Sequence, residues 1–203
     1  MTKHFRYTQE NLLALKKKDK RLCKVIDSLG VINRELDGDI FPSLVRAIIG
    51  QQISTKAQKT ICLRLQNGLE EITPKTLAES PQELLQSFGI SLRKVGYIKE
   101  IANKILSGEI DTDKLHSLSD DEVCIELTKL NGIGIWTAQM LMIFSMERTN
   151  ILSYNDLGIQ RGLRMLYRHK KITKELHLKY FKRYSPYNTL ASFYLWAISA
   201  NAI

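Results

Sequence analysis

The chain reads as an all-α protein. Apolar residues recur at three- and four-residue spacing through most of its 203 residues. Its four prolines and most of its glycines fall at the joints between those stretches, and several stretches are preceded by residues that cap helices. Only Gly30–Ile40 lacks the pattern and has room for short extended structure. No internal repeat and no low-complexity linker interrupts the sequence. The length suits one large domain or two small lobes with ample core.

In order along the chain, Leu44, Val45, Ile48 and Ile49 share one face of a helix over Pro42–Gly50. Ser54 is placed to cap a helix over Ser54–Asn67, whose apolar face holds Ala57, Ile61 and Leu65. Ser80-Pro81 opens a short helix with proline at its first position. Val95, Ile98, Ala102 and Ile105 line one face over Leu92–Leu106. Ser119-Asp120-Asp121-Glu122 spells a capping box ahead of the next helix. Asn155 or Asp156 caps a helix running to about Tyr167. Helices near Thr173–Tyr184 and Tyr187–Asn201 complete the chain. On the last, Leu190, Phe193, Trp196 and Ala197 share a face.

Leu127–Met146 is the most informative stretch. An apolar helix breaks at Asn131-Gly132-Ile133-Gly134 and a second starts at once. Glycine tolerates positive φ, so both glycines are expected to turn the chain in a tight hairpin. The amides of Gly132, Gly134 and Ile135 are then left at the mouth of the new helix, where free N–H groups and the helix dipole favour an anion such as phosphate.

Composition narrows the class. Hydrophobic residues make up 44%, and no apolar run reaches the roughly 18 residues of a membrane span. Met1-Thr2-Lys3-His4-Phe5-Arg6 has no apolar signal region, so export is not expected. Cys23, Cys62 and Cys124 are odd in number and far apart. They read as reduced core thiols of an intracellular protein, without the Cys-x-x-Cys pairs of a zinc or iron–sulfur site. The histidines have no metal spacing. A net charge of +9 and a pI near 9.4 suit a polyanionic partner but do not specify one.

A phosphate-gripping hairpin followed ten residues past its exit helix by an isolated acid, Asp156, is the pattern of the helix-hairpin-helix DNA glycosylases. From about Phe41 to Ala200 the chain resembles that superfamily, and within it the short form of the alkylated-base (3-methyladenine type) enzymes. The resemblance implies a helical-barrel lobe over residues 41–154, with the hairpin motif at about 120–146. Residues 1–40 and 155–203 would form a discontinuous second lobe, and a cleft between the lobes would hold the extruded base. It makes Asp156 the catalytic carboxylate, although helix capping alone would also explain an aspartate there. Many relatives have two acids at this point, whereas here Asn155 precedes Asp156. Bifunctional members place a lysine at the start of the exit helix. This chain has Trp136, in Ile135-Trp136-Thr137-Ala138, and no lysine from Asn131 to Asn150.

Trp136 would line the base pocket, with plain core filling as its other reading. The Ser185-Pro186-Tyr187…Tyr194-Leu195-Trp196 segment would close the pocket, with Trp196 stacking on an electron-poor alkylated purine. Met140, where some relatives have a tyrosine, and Tyr154 are grouped with them. Gly50-Gln51-Gln52-Ile53-Ser54 matches the turn that supplies the residue filling the gap left by a flipped base, here Gln52 or Ile53. Gly132, Gly134, Ile135 and Thr137 would contact the DNA backbone, joined by the basic Arg93 and Arg161. The expected partner is double-stranded DNA containing damaged bases, bound by a monomer in the cytoplasm (prokaryotic nucleoid) or nucleus, with no membrane role. No cofactor and no resident metal are expected, beyond a monovalent cation on the hairpin carbonyls when DNA is bound. The four-cysteine cluster of some relatives is excluded, since no cysteine follows Cys124. The competing readings are a non-catalytic helix-hairpin-helix DNA-binding module and a glycosylase for oxidised or deaminated bases.

Overall fold

A computed structural model describes residues 3–200. The chain divides into two compact units: Met1–Leu36 with Met142–Ile203, and Asp37–Leu141. Among the described residues all regular structure is helical apart from one isolated antiparallel bridge, His4 to Glu35. That bridge, with Phe5 N donating to Arg34 O at 2.8 Å and Leu36 N to Lys3 O at 2.8 Å, pairs the N-terminal strand-like segment with the window expected to be extended.

The discontinuous unit begins with α1 (Gln9–Lys18) and α2 (Lys20–Leu29), two helices beyond those expected. On α2, Leu22, Val25, Ile26 and Leu29 recur at helical spacing. Caps mark the starts of both. Thr8 and Asn11 form a reciprocal capping box. Asp19 is extended, so it ends α1, and its Oδ1 accepts the amides of Arg21 and Leu22 at 2.9 Å to start α2. After the end of α9 (Ile135–Phe144), the unit continues with α10 (Leu157–Tyr167), α11 (Lys174–Tyr184) and α12 (Asn188–Ser199). The Asn201 end expected for α12 lies outside the described residues. Leu190, Phe193, Tyr194, Leu195 and Ile198 are buried on α12. α10 passes close to this helix because Gly162 has no side chain. A Cβ there would sit 2.3 Å from the Leu195 carbonyl oxygen, so the glycine cost to helix propensity is outweighed by packing.

The continuous unit carries α3 (Ile40–Gly50), α4 (Thr55–Gly68), α5 (Pro74–Glu79), α6 (Gln82–Ser87), α7 (Leu92–Leu106), a 3-10 turn at Lys114–Ser117, α8 (Asp120–Thr128) and most of α9. Ser54 Oγ accepts the Ala57 amide at 3.2 Å, and the Ser119–Glu122 capping box is formed. Two details differ from expectation. α3 starts at Ile40, two residues before Pro42, because proline lacks only an N–H that the first turn leaves unused. Pro81 is the residue before α6, not its first helical position; the first-position proline is Pro74, behind the Thr73 cap. The three cysteines are free and half-buried on helices, not core residues.

Candidate functional site

The segment leading to Asp156 has no helix of its own and is fixed by a polar row on α12. Asn188, Thr189 and Ser192 are fully buried. Thr189 Oγ1 donates to the Arg148 carbonyl at 2.6 Å and accepts the Ile151 amide at 3.0 Å, and the Thr189 amide reaches Thr149 O at 2.9 Å. Ser192 Oγ donates to Ile151 O at 3.0 Å, and Asn188 Nδ2 to Asn150 Oδ1 at 2.7 Å. These bonds satisfy backbone groups that burial would otherwise leave without partners. One turn further along α12, Trp196 Nε1 donates to Asp156 Oδ1 at 2.9 Å. The same oxygen accepts the Ile159 amide at 2.8 Å, so Asp156 is the N-cap of α10. Only 6% of the residue is exposed. The first turn of α10 and the indole N–H both donate to this carboxylate and fix its orientation. A Cβ on Gly158 would come within 2.8 Å of Trp196 Cδ1 and 3.1 Å of Asp156 Oδ1, so only glycine leaves room for this contact.

The Trp196 ring stacks near Phe144, with centroids 5.9 Å apart, and Phe193, at 6.0 Å. Its N–H is therefore committed to Asp156, a role that sequence spacing does not reveal because forty residues separate the two. Tyr154 is half-buried, edge-on to the His177 ring at 5.3 Å, and its carbonyl accepts Gln160 Nε2 at 2.6 Å. Arg161 is exposed on the second turn of α10.

In the continuous unit the hairpin joins α8 to α9. Gly132 has φ +87°, and a Cβ there would meet the Tyr97 ring at 2.7 Å. Gly134 has an ordinary φ and open space at its Cβ position, so the expectation of positive φ holds for Gly132 alone. The turn closes through Ile133 N to Leu130 O at 3.0 Å, with Ile133 buried beneath it. Among the described residues no backbone carbonyl accepts from the amides of Gly132, Gly134 or Ile135. Gly134 and Ile135 are exposed, which leaves a donor pair at the start of α9. Asn131 Nδ2 is anchored on the Glu100 carboxylate at 2.8 and 3.0 Å.

The Gly50–Ser54 turn is tied to the hairpin. Gln51 Nε2 donates to the Gly132 carbonyl at 2.6 Å. Lys94 Nζ donates to the carbonyls of Ile49 and Gln51 at 2.9 and 2.8 Å, closing the C-terminus of α3. Burial, and then the adjacent Arg93, push the Lys94 ammonium below its usual pKa. The next residue, Gln52, is exposed with φ +56°, a left-handed conformation that non-glycine residues rarely adopt. Ile53 beside it is 37% exposed, and Arg93 is exposed at the start of α7. Lys94 has no sequence signal separating it from Arg93; only its carbonyl partners do.

Trp136 is 45% exposed and lines a cavity of about 350 Å³ with Thr137, Met140, Arg46, Gln51 and Gln58. Thr137, expected at the DNA backbone, is buried and shares this cavity with Trp136 and Met140. Arg46 pairs there with Asp37 at 2.8 Å, a contact the sequence does not signal. Neutral hairpin carbonyls suit a monovalent cation more than a divalent one. Gly132 O accepts from Gln51 and keeps a second lone pair.

The sequence profile of HhH-GPD superfamily base excision DNA repair proteins matches residues 45–186. The chain belongs to the HhH-GPD superfamily. The matched region takes in the Gly50–Ser54 turn, the hairpin and Asp156, and stops short of Trp196. Within the superfamily, the chain is 36% identical over 186 residues to DNA-3-methyladenine glycosylase 1 of Schizosaccharomyces pombe, covering 89% of this chain and 81% of that protein. The structure of a DNA-3-methyladenine glycosidase from Bacillus halodurans superposes with a TM-score of 0.88 at 33% identity, over 98% of this chain and 94% of the other. The S. pombe 3-methyladenine DNA glycosylase in complex with abasic DNA gives 0.80 at 31% identity, over 93% and 96%.

Proposed function

We propose that this chain is a monofunctional DNA glycosylase that hydrolyses the N-glycosidic bond of alkylated purines, of the 3-methyladenine type, in duplex DNA. The observation that carries the reading is the buried Asp156 carboxylate, oriented by Trp196 Nε1 and the α10 N-terminus, in a chain whose hairpin presents free amides. The amides of Gly134 and Ile135 take a backbone phosphate without reading sequence. Gln52, held out by the turn that Lys94 and Gln51 secure, fills the space of the extruded nucleotide and offsets part of the unstacking cost of a few kcal/mol. As the glycosidic bond breaks, positive charge develops on the deoxyribose, and the Asp156 carboxylate stabilises it. Water then attacks the anomeric carbon. One proton from that water is lost to solvent or to the carboxylate, and the products are free base and an abasic site. A cation bound by the hairpin carbonyls would add positive charge against the phosphate. The protein acts as a monomer, inside the cell where the DNA is.

Monofunctionality rests on Trp136. A lyase of this fold needs an amine at that point to form an imine with the sugar. Lesion-containing DNA incubated with the protein and borohydride is expected to yield no covalent adduct, and the strand should break only on later heating in alkali. An adduct formed in step with base release would overturn the monofunctional reading and favour the oxidised-base alternative.

A further inference from the structure

Charge is segregated between the two units. The hairpin-bearing unit, residues 37–141, holds 11 of the 30 basic residues and 14 of the 21 acidic ones, a net charge of −3. The discontinuous unit holds the other 19 basic and 7 acidic residues, a net charge of +12. Much of this excess meets at one place. The N-terminus of α2 brings Lys20 and Arg21 to the C-terminal end of α10, where Arg168, Lys170 and Lys171 follow. Arg21 Nη1 donates to Leu166 O at 3.3 Å. Lys20, Arg21, Arg168, Lys170 and Lys171 are all exposed.

The floor beneath them is aromatic. The rings of Tyr167 and Tyr180 stack at 4.4 Å, and His169 Nε2 bonds the Tyr180 hydroxyl at 2.6 Å. The Arg21 and Arg183 guanidiniums lie 5.6 and 5.7 Å from the Tyr167 ring centre. Asp19, the acid closest to this floor, is buried and neutralised by Arg183 at 2.6 Å. Burial alone would raise the Asp19 pKa. The Leu22 amide, the Tyr167 hydroxyl, Arg183 and the Arg21 amide override it and hold the group ionised. Among the described residues no ion pair joins these exposed cations to an acid. Such a surface repels itself and is complemented by a polyanion. It lies at the far end of α10 from Asp156, about 16 Å for eleven helical residues, or roughly five base-pair steps of duplex.

We propose that Lys20, Arg21, Arg168, Lys170 and Lys171 form an accessory phosphate-binding surface that holds the backbone of duplex DNA. Its work is retention on undamaged DNA during search. It rests on the reading of the chain as a protein acting on DNA. The test is the salt dependence of binding to a long undamaged duplex. Each lost phosphate contact lowers the slope of log affinity against log salt by about 0.9, so Lys20→Gln/Lys170→Gln/Lys171→Gln should lower it by roughly 2 to 3. Lys75→Gln/Lys104→Gln/Lys114→Gln, which removes equal charge from the other unit, should leave the slope unchanged. A wild-type slope in the first variant, or an equal loss in the second, overturns the surface. Base release by the wild-type protein, measured in parallel, decides the glycosylase reading separately. A slope difference without release would keep the surface and sink that reading, and release without a slope difference would do the reverse.

Discussion

At Asp156 one carboxylate oxygen caps a helix and also sets the orientation of the acid on which the proposed chemistry rests. Oδ1 caps α10 and receives the Trp196 indole N–H, so helix capping and orientation of the acid are one arrangement. The acid and its cap were legible in the sequence, because an aspartate before an apolar-periodic run is a local signal. The Trp196 bond was not, because it joins residues forty positions apart and depends on Gly158 having no side chain. Trp196→Phe keeps a ring beside Phe144 and Phe193 and removes only the donor. A hydrogen bond to a charged group contributes about 1.5–3 kcal/mol, so kcat should fall by roughly ten- to a hundredfold with KM little changed. Steady-state kinetics on alkylated DNA would check this. Unchanged kcat would reduce Trp196 to a packing residue.

The hairpin shows how far pattern reading goes for an element. The break, the helix after it and the capping box before it follow from local residue types, as do the bounds of α7. Which glycine turns the chain does not, since it is set by Tyr97 packing from α7 onto Gly132. α1 and α2 are legible as well, from the Thr8–Asn11 capping box, the Asp19 cap and the Leu22, Val25, Ile26, Leu29 spacing, although the expected helices do not include them. Substitutions at the two glycines should therefore part company. Gly132→Ala forces a Cβ into the Tyr97 ring at positive φ and should lower stability by at least about 1 kcal/mol, read as a drop in thermal midpoint. Gly134→Asp has room and leaves the fold intact. Its carboxylate would stand where a phosphate docks, so affinity should weaken alike on every duplex sequence. Unchanged binding, or a loss confined to some sequences, would remove the hairpin from the DNA contact.

For the whole molecule, the fold class and the order of most helices were legible, whereas the +12 and −3 division was not, because it needs the partition of the chain into units. The discontinuous unit also carries an acid-sensitive group. Burial lowers the His177 pKa, only partly opposed by its bond to the Leu152 backbone, and its buried Nε2 has no hydrogen-bond partner among the described residues. The unfolded chain therefore takes up the proton first. Stability is full above about pH 6.5 and is lost as pH falls from there through the folded value. Thermal melts across that window should show a shallower acid loss for His177→Gln than for the wild type, and parallel curves would contradict the assignment. This unit's Asp156 carboxylate is expected to drive cleavage of the glycosidic bond, and release of free base from methylated DNA by wild type and Asp156→Asn tests this most directly. Asparagine keeps the capping oxygen and removes the charge, so the variant should fold and bind DNA as the wild type does. Wild type should release alkylated purine, and the variant should be slower by at least about a hundredfold. Release at the wild-type rate by Asp156→Asn would leave Asp156 as a helix cap and nothing more.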